Sequence, residues 1–555
     1  MKSDPQMTAA TADPYDRPPR WWQRHADWIW AAGVGVLTAV VTVLMFPPYE
    51  MPEFAYAFAV PAIFWAYRRP ALKLYAGTLF AAQAAAWVAL LWWLHPVTWV
   101  GLFLLGPVIG AWVGVWYLAV WWTMPRIIGR PPALRIAALA GLAAAWVLVE
   151  WSRTWLLGGF PWLPLAASQW QRNSLLQVAA YTGAHGVSFI LVFFNLAFAA
   201  YGWRLFCEAQ EGLRRRSPEF VAALVVLMFG TVFPMMQAFN RGPYERRLAD
   251  VAFVQPYIPQ QVKWDPARAP AIFQALEQAT LVAAASEPDV ILWPEASTPM
   301  AVRGDPGARA WTEALVARAK VPLLLGSIAI ENRGQPAEAW YNGIFAVAPD
   351  QGVQTEYYAK RHLVPFGEYV PLRPLLGWLN KFVPIGDDFT RGASAAPLRV
   401  PVRRHQLAVG PLLCYEDIFP ALARADARAG ADFLFVATNN AWYGEGGAAY
   451  QQAAHSVLRA VETRRPVLRC GNGGWSGWID EFGVIRGVLT NDRGSIYYRG
   501  VKTLAVRRDA RWIGRASFYV EHGDWFVVVC AFLAPFGYLC LRFLGKSYRP
   551  SRWLG

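Results

Sequence analysis

The sequence predicts a polytopic helical membrane domain of eight transmembrane helices joined to one large α/β domain outside the cytoplasm. Three observations lead there. Long apolar runs fill residues 27–239 and 524–544; basic residues cluster in alternate loops between those runs; and residues 240–522 alternate short β-rich runs with helical patterns. Composition agrees. Of 555 residues, 55% are hydrophobic and 16% charged, against about 25% charged in soluble domains. The 30 tryptophans suit the two faces of a bilayer, where indole rings gather.

Crossing a hydrocarbon core takes about 20 helical residues. Runs of that order lie near 27–46, 53–67, 74–94, 98–122, 134–151, 186–206 and 218–238, with an eighth near 524–544; the second is short. The first follows a polar N-terminus and precedes Pro47-Pro48 without a small-residue cleavage pattern, so it reads as an uncleaved anchor. With the N-terminus in the cytoplasm, 18 of the 20 Lys and Arg of the membrane part fall on the inner side, leaving only Arg153 and Arg172 outside. That is the positive-inside tendency. The expected division is a cytoplasmic tail (1–26), a membrane domain (27–239), an outer catalytic domain (240–522), and a last span with a cytoplasmic tail (523–555).

The same distribution excludes two function classes. Net charge is +14, yet residues 240–522 hold 32 bases against 27 acids and no basic-aromatic strip, so nucleic acid is not an expected partner. A transporter needs charges or broken helices along a pathway; the spans carry none near their centres, and Glu150 lies near an end.

In the outer segment, strands are expected at 249–255, 289–293, 321–328, 341–348, 405–413 and 432–438, and helices near 267–285, 307–319, 418–429 and 448–464. Such alternation predicts strands layered between helices. The five cysteines, Cys207, Cys414, Cys470, Cys530 and Cys540, show neither CxxC nor metal-ligand spacing, and an odd count makes a poor disulfide framework. No metal and no cofactor are expected.

Three polar residues stand where apolar runs end. Glu295 closes Ile291-Leu292-Trp293-Pro294-Glu295, Cys414 closes Gly410-Pro411-Leu412-Leu413-Cys414, and Lys360 precedes Leu363 to Tyr369. In α/β folds catalytic groups converge at the carboxyl ends of strands. A thiol, a carboxylate and an ammonium brought together there supply a nucleophile, a base and a stabiliser for an oxyanion, with Glu368 able to hold Lys360. Singly, each has an ordinary structural reading: a small buried hydrophobe for Cys414, a helix cap for Glu295, a solvated face for Lys360. Cys470 and the remaining thiols read as packing residues, and His185 as a loop residue. The triad is compatible both with acyl transfer to an amine and with amide hydrolysis by water.

The pieces WPE (293–295), YYAKRHLVPFGEYVP (357–371) and LLCYED (412–417) resemble the Glu-Lys-Cys motifs of the nitrilase superfamily, and within it the bacterial apolipoprotein N-acyltransferases. The resemblance extends through NNAWYG (439–444), RAVETRRPVLRCGNGGWSGWID (459–480) and YVEHGDW (519–525). It also reaches the membrane part, in FPWLPLAASQ (160–169) and GAHGVSFILVFFNLAFA (183–199). It implies a nitrilase-like αββα sandwich on eight membrane helices, acting as a monomer in a bacterial inner membrane with the catalytic domain on the periplasmic side. It implies a phospholipid acyl donor, a thioester on Cys414, and the α-amine of a diacylglyceryl apolipoprotein as acceptor. Carried over by position, Glu295 is the base, Lys360 the oxyanion stabiliser and Cys414 the nucleophile. Glu368 and Glu416 support them, and Trp264, Tyr415, Asn342 and Trp442 bind substrate. Two departures stand out: Asn439-Asn440 where Asn-Asp is expected, and a 444–455 segment without the expected Pro and Gln-His pair. Apolar Phe160 to Trp170, and Phe382 to Phe389 with Leu375 to Leu379, suggest a lipid-facing vestibule or lid.

Overall fold

In lipid a helix satisfies its own backbone, so apolar runs fold as helices. The computed structural model describes residues 26–208, 216–239, 242–371, 373–376, 388–403 and 405–544. Among them, five helices are long and apolar enough to cross a bilayer: Ala26–Leu44, Trp99–Arg126, Pro132–Ser152, Ala184–Phe206 and Trp525–Leu544. Helices Leu72–Leu90 and Pro218–Phe239 stand beside them. The last helix packs backbone to backbone on Pro132–Ser152, where a Cβ on Gly141 would lie 2.9 Å from the Cα of Gly537; small residues permit such contact.

Segment 53–67 differs from the single helix expected. A 3₁₀ turn, Pro52–Tyr56, gives way to an eight-residue helix, Val60–Tyr67, with Pro61 in its first turn. Asn195 of the Ala184–Phe206 helix satisfies the interrupted backbone, accepting from Ala59 N (3.1 Å) and donating to Ala55 O (2.8 Å). Gln169 holds one end by donating to Pro52 O (3.0 Å), and Tyr67 at the other stacks on Trp203 (4.8 Å between rings). His185 is also corrected: it lies buried in the first turn of Ala184–Phe206, not in a loop, with Nδ1 3.8 Å from Glu150 Oε2. Arg135 and Arg204, counted among the inner-side bases, are buried within helices and both pair with Glu219 (3.1 and 3.2 Å).

The remainder forms two sheets. In the first, β1 (Glu245–Gln255), β2 (Val290–Leu292) and β3 (Leu323–Glu331) run parallel, in the order β13-β1-β2-β3-β4-β5 with β6 also on β4. Here β4 is Ala339–Ala348, β5 Gly352–Val353, β6 Tyr358–Ala359 and β13 Gly500–Asp509. In the second the order is β12-β11-β10-β9-β8-β7, with β8 (His405–Leu413), β9 (Phe433–Asn439) and β10 (Val467–Asn472) parallel. Its flanks are β7 (Leu398–Val402), β11 (Gly477–Ile479) and β12 (Ile485–Val488). Parallel neighbours need crossovers, usually helical, and each supplies one: Ala269–Ala284 and Pro306–Ala319 for the first sheet, Pro420–Arg428 and Ala448–Thr463 for the second. Side chains alternate along each strand. Val251, Phe253, Leu413 and Phe435 therefore meet between the sheets, while Ala252 and Val254 face the Ala269–Ala284 helix and Leu434 and Val436 face Ala448–Thr463. The result is an αββα sandwich.

Helix Ala448–Thr463 is enclosed on both sides, by the second sheet and by the membrane helices. Its polar residues join the two parts. Gln451 Oε1 accepts from the indoles of Trp93 and Trp162 (both 2.8 Å), and its Nε2 donates to Pro47 O (3.1 Å) and Leu90 O (2.9 Å). His455 Nε2 meets Leu163 N (3.1 Å), and Glu462 accepts from Ala184 N (2.9 Å). Residues 161–170, expected to face lipid, are buried in this seam. A Trp-rich apolar stretch looks alike whether it meets lipid or protein. The other lid segment, from Leu375 to Phe389, lies largely outside the described residues.

Candidate active site

Glu295, Lys360 and Cys414 come from three different strand ends and meet in one buried cluster. Glu295 follows β2, where Gly326 of β3 lets the turn approach: a Cβ there would lie 2.6 Å from the Cα of Glu295. Lys360 follows β6, its N–H donating to Asn342 O on β4 (2.9 Å). The ammonium of Lys360 donates to Glu368 Oε1 (2.8 Å) and Glu295 Oε1 (3.4 Å). Asn342 bridges the same carboxylates, its Nδ2 lying 2.9 Å from Glu295 Oε1 and 3.0 Å from Glu368 Oε1. Burial by itself would lower the Lys360 pKa; Glu368 and Glu295 outweigh it and hold the lysine above its ordinary range.

Cys414 directly follows β8 at φ +47°, a conformation that costs a non-glycine residue about 1–3 kcal/mol and clusters at functional sites. Ala296, next to Glu295, shares it at φ +44°. Thr438 Oγ1 donates to the sulfur at 3.2 Å, and Gln452 Nε2 lies 3.9 Å away. Burial pushes the thiol up to about 12; Glu295 adds to that, while Lys360, Thr438 and the Asn439 main chain oppose it. The resting sulfur is therefore a thiol, and its proton must leave as it attacks.

The two acids after Cys414 build its turn. Glu416 accepts from Leu413 N (2.8 Å), Arg361 N (2.6 Å), His362 N (2.9 Å) and the Tyr358 hydroxyl (2.6 Å), tying the cysteine and lysine loops together. Asp417 accepts from Arg469 (2.6 Å) and Ser456 (2.7 Å) with no solvent contact. Removing one partner of such a pair strands a buried charge. Arg469→Met is thus expected to destabilise the protein by about 3–5 kcal/mol, read as a lower melting temperature; an unchanged one rejects the assignment.

The residues expected to bind substrate divide. Trp264 and Trp442 are each 47% exposed, large rings open to a ligand. Tyr415 is buried, its hydroxyl donating to Gly159 O of the membrane part (2.9 Å), and Asn342 belongs to the carboxylate frame. The two departures meet: Asn440 Nδ2 donates to Gln452 Oε1 (2.9 Å) beside Cys414. Sequence reasoning missed Thr438, Gln452 and Lys263. Thr438 could have been found at the carboxyl end of the expected 432–438 strand; nothing local marks Gln452 or Lys263.

Residues 38–197 match the family described as Apolipoprotein N-acyltransferase N-terminal domain, and residues 250–503 the Carbon-nitrogen hydrolase family. An apolipoprotein N-acyltransferase of Geobacter metallireducens is 31% identical over 519 residues, covering 90% of this chain and 92% of the relative. The chain belongs to the apolipoprotein N-acyltransferase family. A Brucella melitensis member is 30% identical over 82% of this chain and 87% of its own. Among solved structures, an amidase of Nesterenkonia sp. AN1 aligns at TM-score 0.36 and 15% identity, over 51% of this chain and 99% of that one. Membership makes this membrane protein an acyltransferase, with a carbon-nitrogen hydrolase domain suited to cysteine-based acyl transfer.

Proposed function

We propose that the enzyme transfers a fatty acyl chain from a phospholipid, through a thioester on Cys414, to the α-amine of the N-terminal diacylglyceryl-cysteine of an apolipoprotein. The observation that carries this reading is the cluster of Cys414, Glu295 and Lys360 in a family member whose other half is membrane helices. Glu295 takes the thiol proton as sulfur attacks the ester carbonyl, Lys360 faces the oxygen that becomes negative, and Glu295 returns the proton to the departing lysophospholipid. The amine then attacks the thioester; Glu295 removes its proton and passes it to the leaving sulfur. Glu368 and Asn342 hold Lys360 and Glu295, Glu416 supports the nucleophile turn, and Trp264, Trp442 and Tyr415 shape the cleft.

This reading takes the protein as a monomer in the bacterial inner membrane, with eight crossings (the interrupted 52–67 segment included) and residues 240–522 on the periplasmic side. Lifting a chain into water costs about 0.8 kcal/mol per CH₂, which a site at the bilayer surface avoids. The test supplies purified enzyme with labelled phospholipid and a diacylglyceryl-cysteine peptide. The expected product is an amide-linked third chain, formed only when the peptide amine is free. Hydrolysis of simple amides without any acylated peptide overturns the proposal in favour of an amidase.

A further inference from the structure

A second lysine lies against the same carboxylate residue. Lys263 ends the short helix Gln260–Lys263, and its side chain is as buried as that of Lys360, both residues being 1% exposed. The two ammoniums are held in opposite ways. Lys360 has two carboxylates, Glu295 and Glu368. Lys263 donates to the main-chain oxygen of Glu295 (3.2 Å) and lies 5.6 Å from the Trp264 ring, with no carboxylate in ion-pair range among the described residues. A buried cation without a counter-ion is costly to a fold, and methionine would fill the same space without that cost. Its surroundings point to a use. The charged and titratable groups acting on it are Glu295 and Cys414, and Lys360 and Glu368 stand behind them.

We propose that Lys263 is a positioning residue for acyl transfer: its ammonium fixes the main chain at Glu295, and its charge favours the Cys414 thiolate that attacks the donor. The inference rests on the Cys414 reading given above. Burial pulls Lys263 down to about 8, against the smaller opposing pull of Glu295 and Cys414. As pH rises through that value the charge is lost and the thiolate is less favoured, so acylation should slow. Lys360, held by its two carboxylates, stays charged over the same range.

The experiment uses full-length enzyme in nanodiscs of phosphatidylethanolamine and phosphatidylglycerol with radiolabelled acyl chains. First-turnover acylation of Cys414 is followed from pH 6 to 10. Wild type should lose rate above about pH 8. Lys263→Arg, which keeps the charge, should keep its rate past that point. Lys263→Gln, which keeps a donor for Glu295 O, and Lys263→Met, which keeps neither, should both be slowed about tenfold or more at pH 7 and lack the alkaline decline. No variant should melt below wild type, and Lys263→Met, relieved of the buried charge, should melt above it. Wild-type rate and pH profile in Lys263→Met overturn the inference. So does an equal loss in all three variants with the alkaline decline intact, which would mark a packing role only. An unacylated wild type removes the Cys414 reading and this inference with it, whereas an acylated wild type beside an indifferent Lys263→Met removes this inference alone.

Discussion

Cys414→Ala enzyme incubated with labelled phospholipid is expected to carry no acyl adduct and to acylate no acceptor, while wild type gains the mass of one acyl chain at residue 414. The substitution removes one sulfur from a site whose remaining groups are held by other contacts: Lys360 by Glu368, Glu295 by Asn342, and the turn itself by Glu416. Folding and membrane insertion should therefore survive, and loss of activity would report chemistry. Alanine also relaxes nothing at φ +47°, since it tolerates that conformation no better than cysteine. Intact-protein mass spectrometry with phospholipid alone separates the first half of the reaction from the second. Normal turnover by the alanine variant would reject sulfur as the nucleophile.

Glu295→Gln should slow acylation by about 10²–10⁴-fold, the usual worth of a positioned general base. Glutamine preserves shape and can still accept a hydrogen bond from Asn342 or Lys360, so the frame around it should persist. It cannot take a proton. With the thiol pushed up to about 12, almost none is ionised at neutral pH, and the reaction depends on a group that removes the proton during attack. The same substitution cancels the carboxylate that helps raise the thiol. The residual rate of Glu295→Gln should consequently climb between about pH 6 and 8, as free thiolate takes over, where wild type with its general base does not depend on free thiolate. A wild-type rate in first-turnover measurements at pH 7 would remove Glu295 from the role.

Much of this architecture was legible in the sequence because apolar patterning is local. The strands at 249–255, 289–293 and 432–438 and the helices at 307–319 and 448–464 appear within a few residues of where patterning puts them. Strands β10 to β13 were not foreseen: Val467–Asn472 follows a helix through Arg464-Arg465-Pro466, and Gly500–Asp509 mixes Lys502, Arg507, Arg508 and Asp509 with its apolar residues, as an edge strand paired only with β1 allows. The interruption at 57–59 was hidden for a different reason. Its backbone is completed by Asn195, more than a hundred residues away, and no window around Ala59 reveals that partner. The site behaves alike. Glu295, Lys360 and Cys414 sit at ends of apolar runs and within motifs, whereas Lys263 and Gln452 gain meaning only from what the fold sets opposite them.

The enclosed helix Ala448–Thr463 carries a consequence for how such an enzyme can be divided. Cut free of its transmembrane partner, the two-sheet half would bare Gln451, His455 and Glu462 together with the apolar ridge between them, each stripped of the indole, amide or carbonyl that answers it. Water could hydrate the polar atoms but not the ridge, and exposed ridges of that kind stick to one another. Catalyst and anchor are in this sense a single solid, and no soluble edition of the chemistry can be had by trimming.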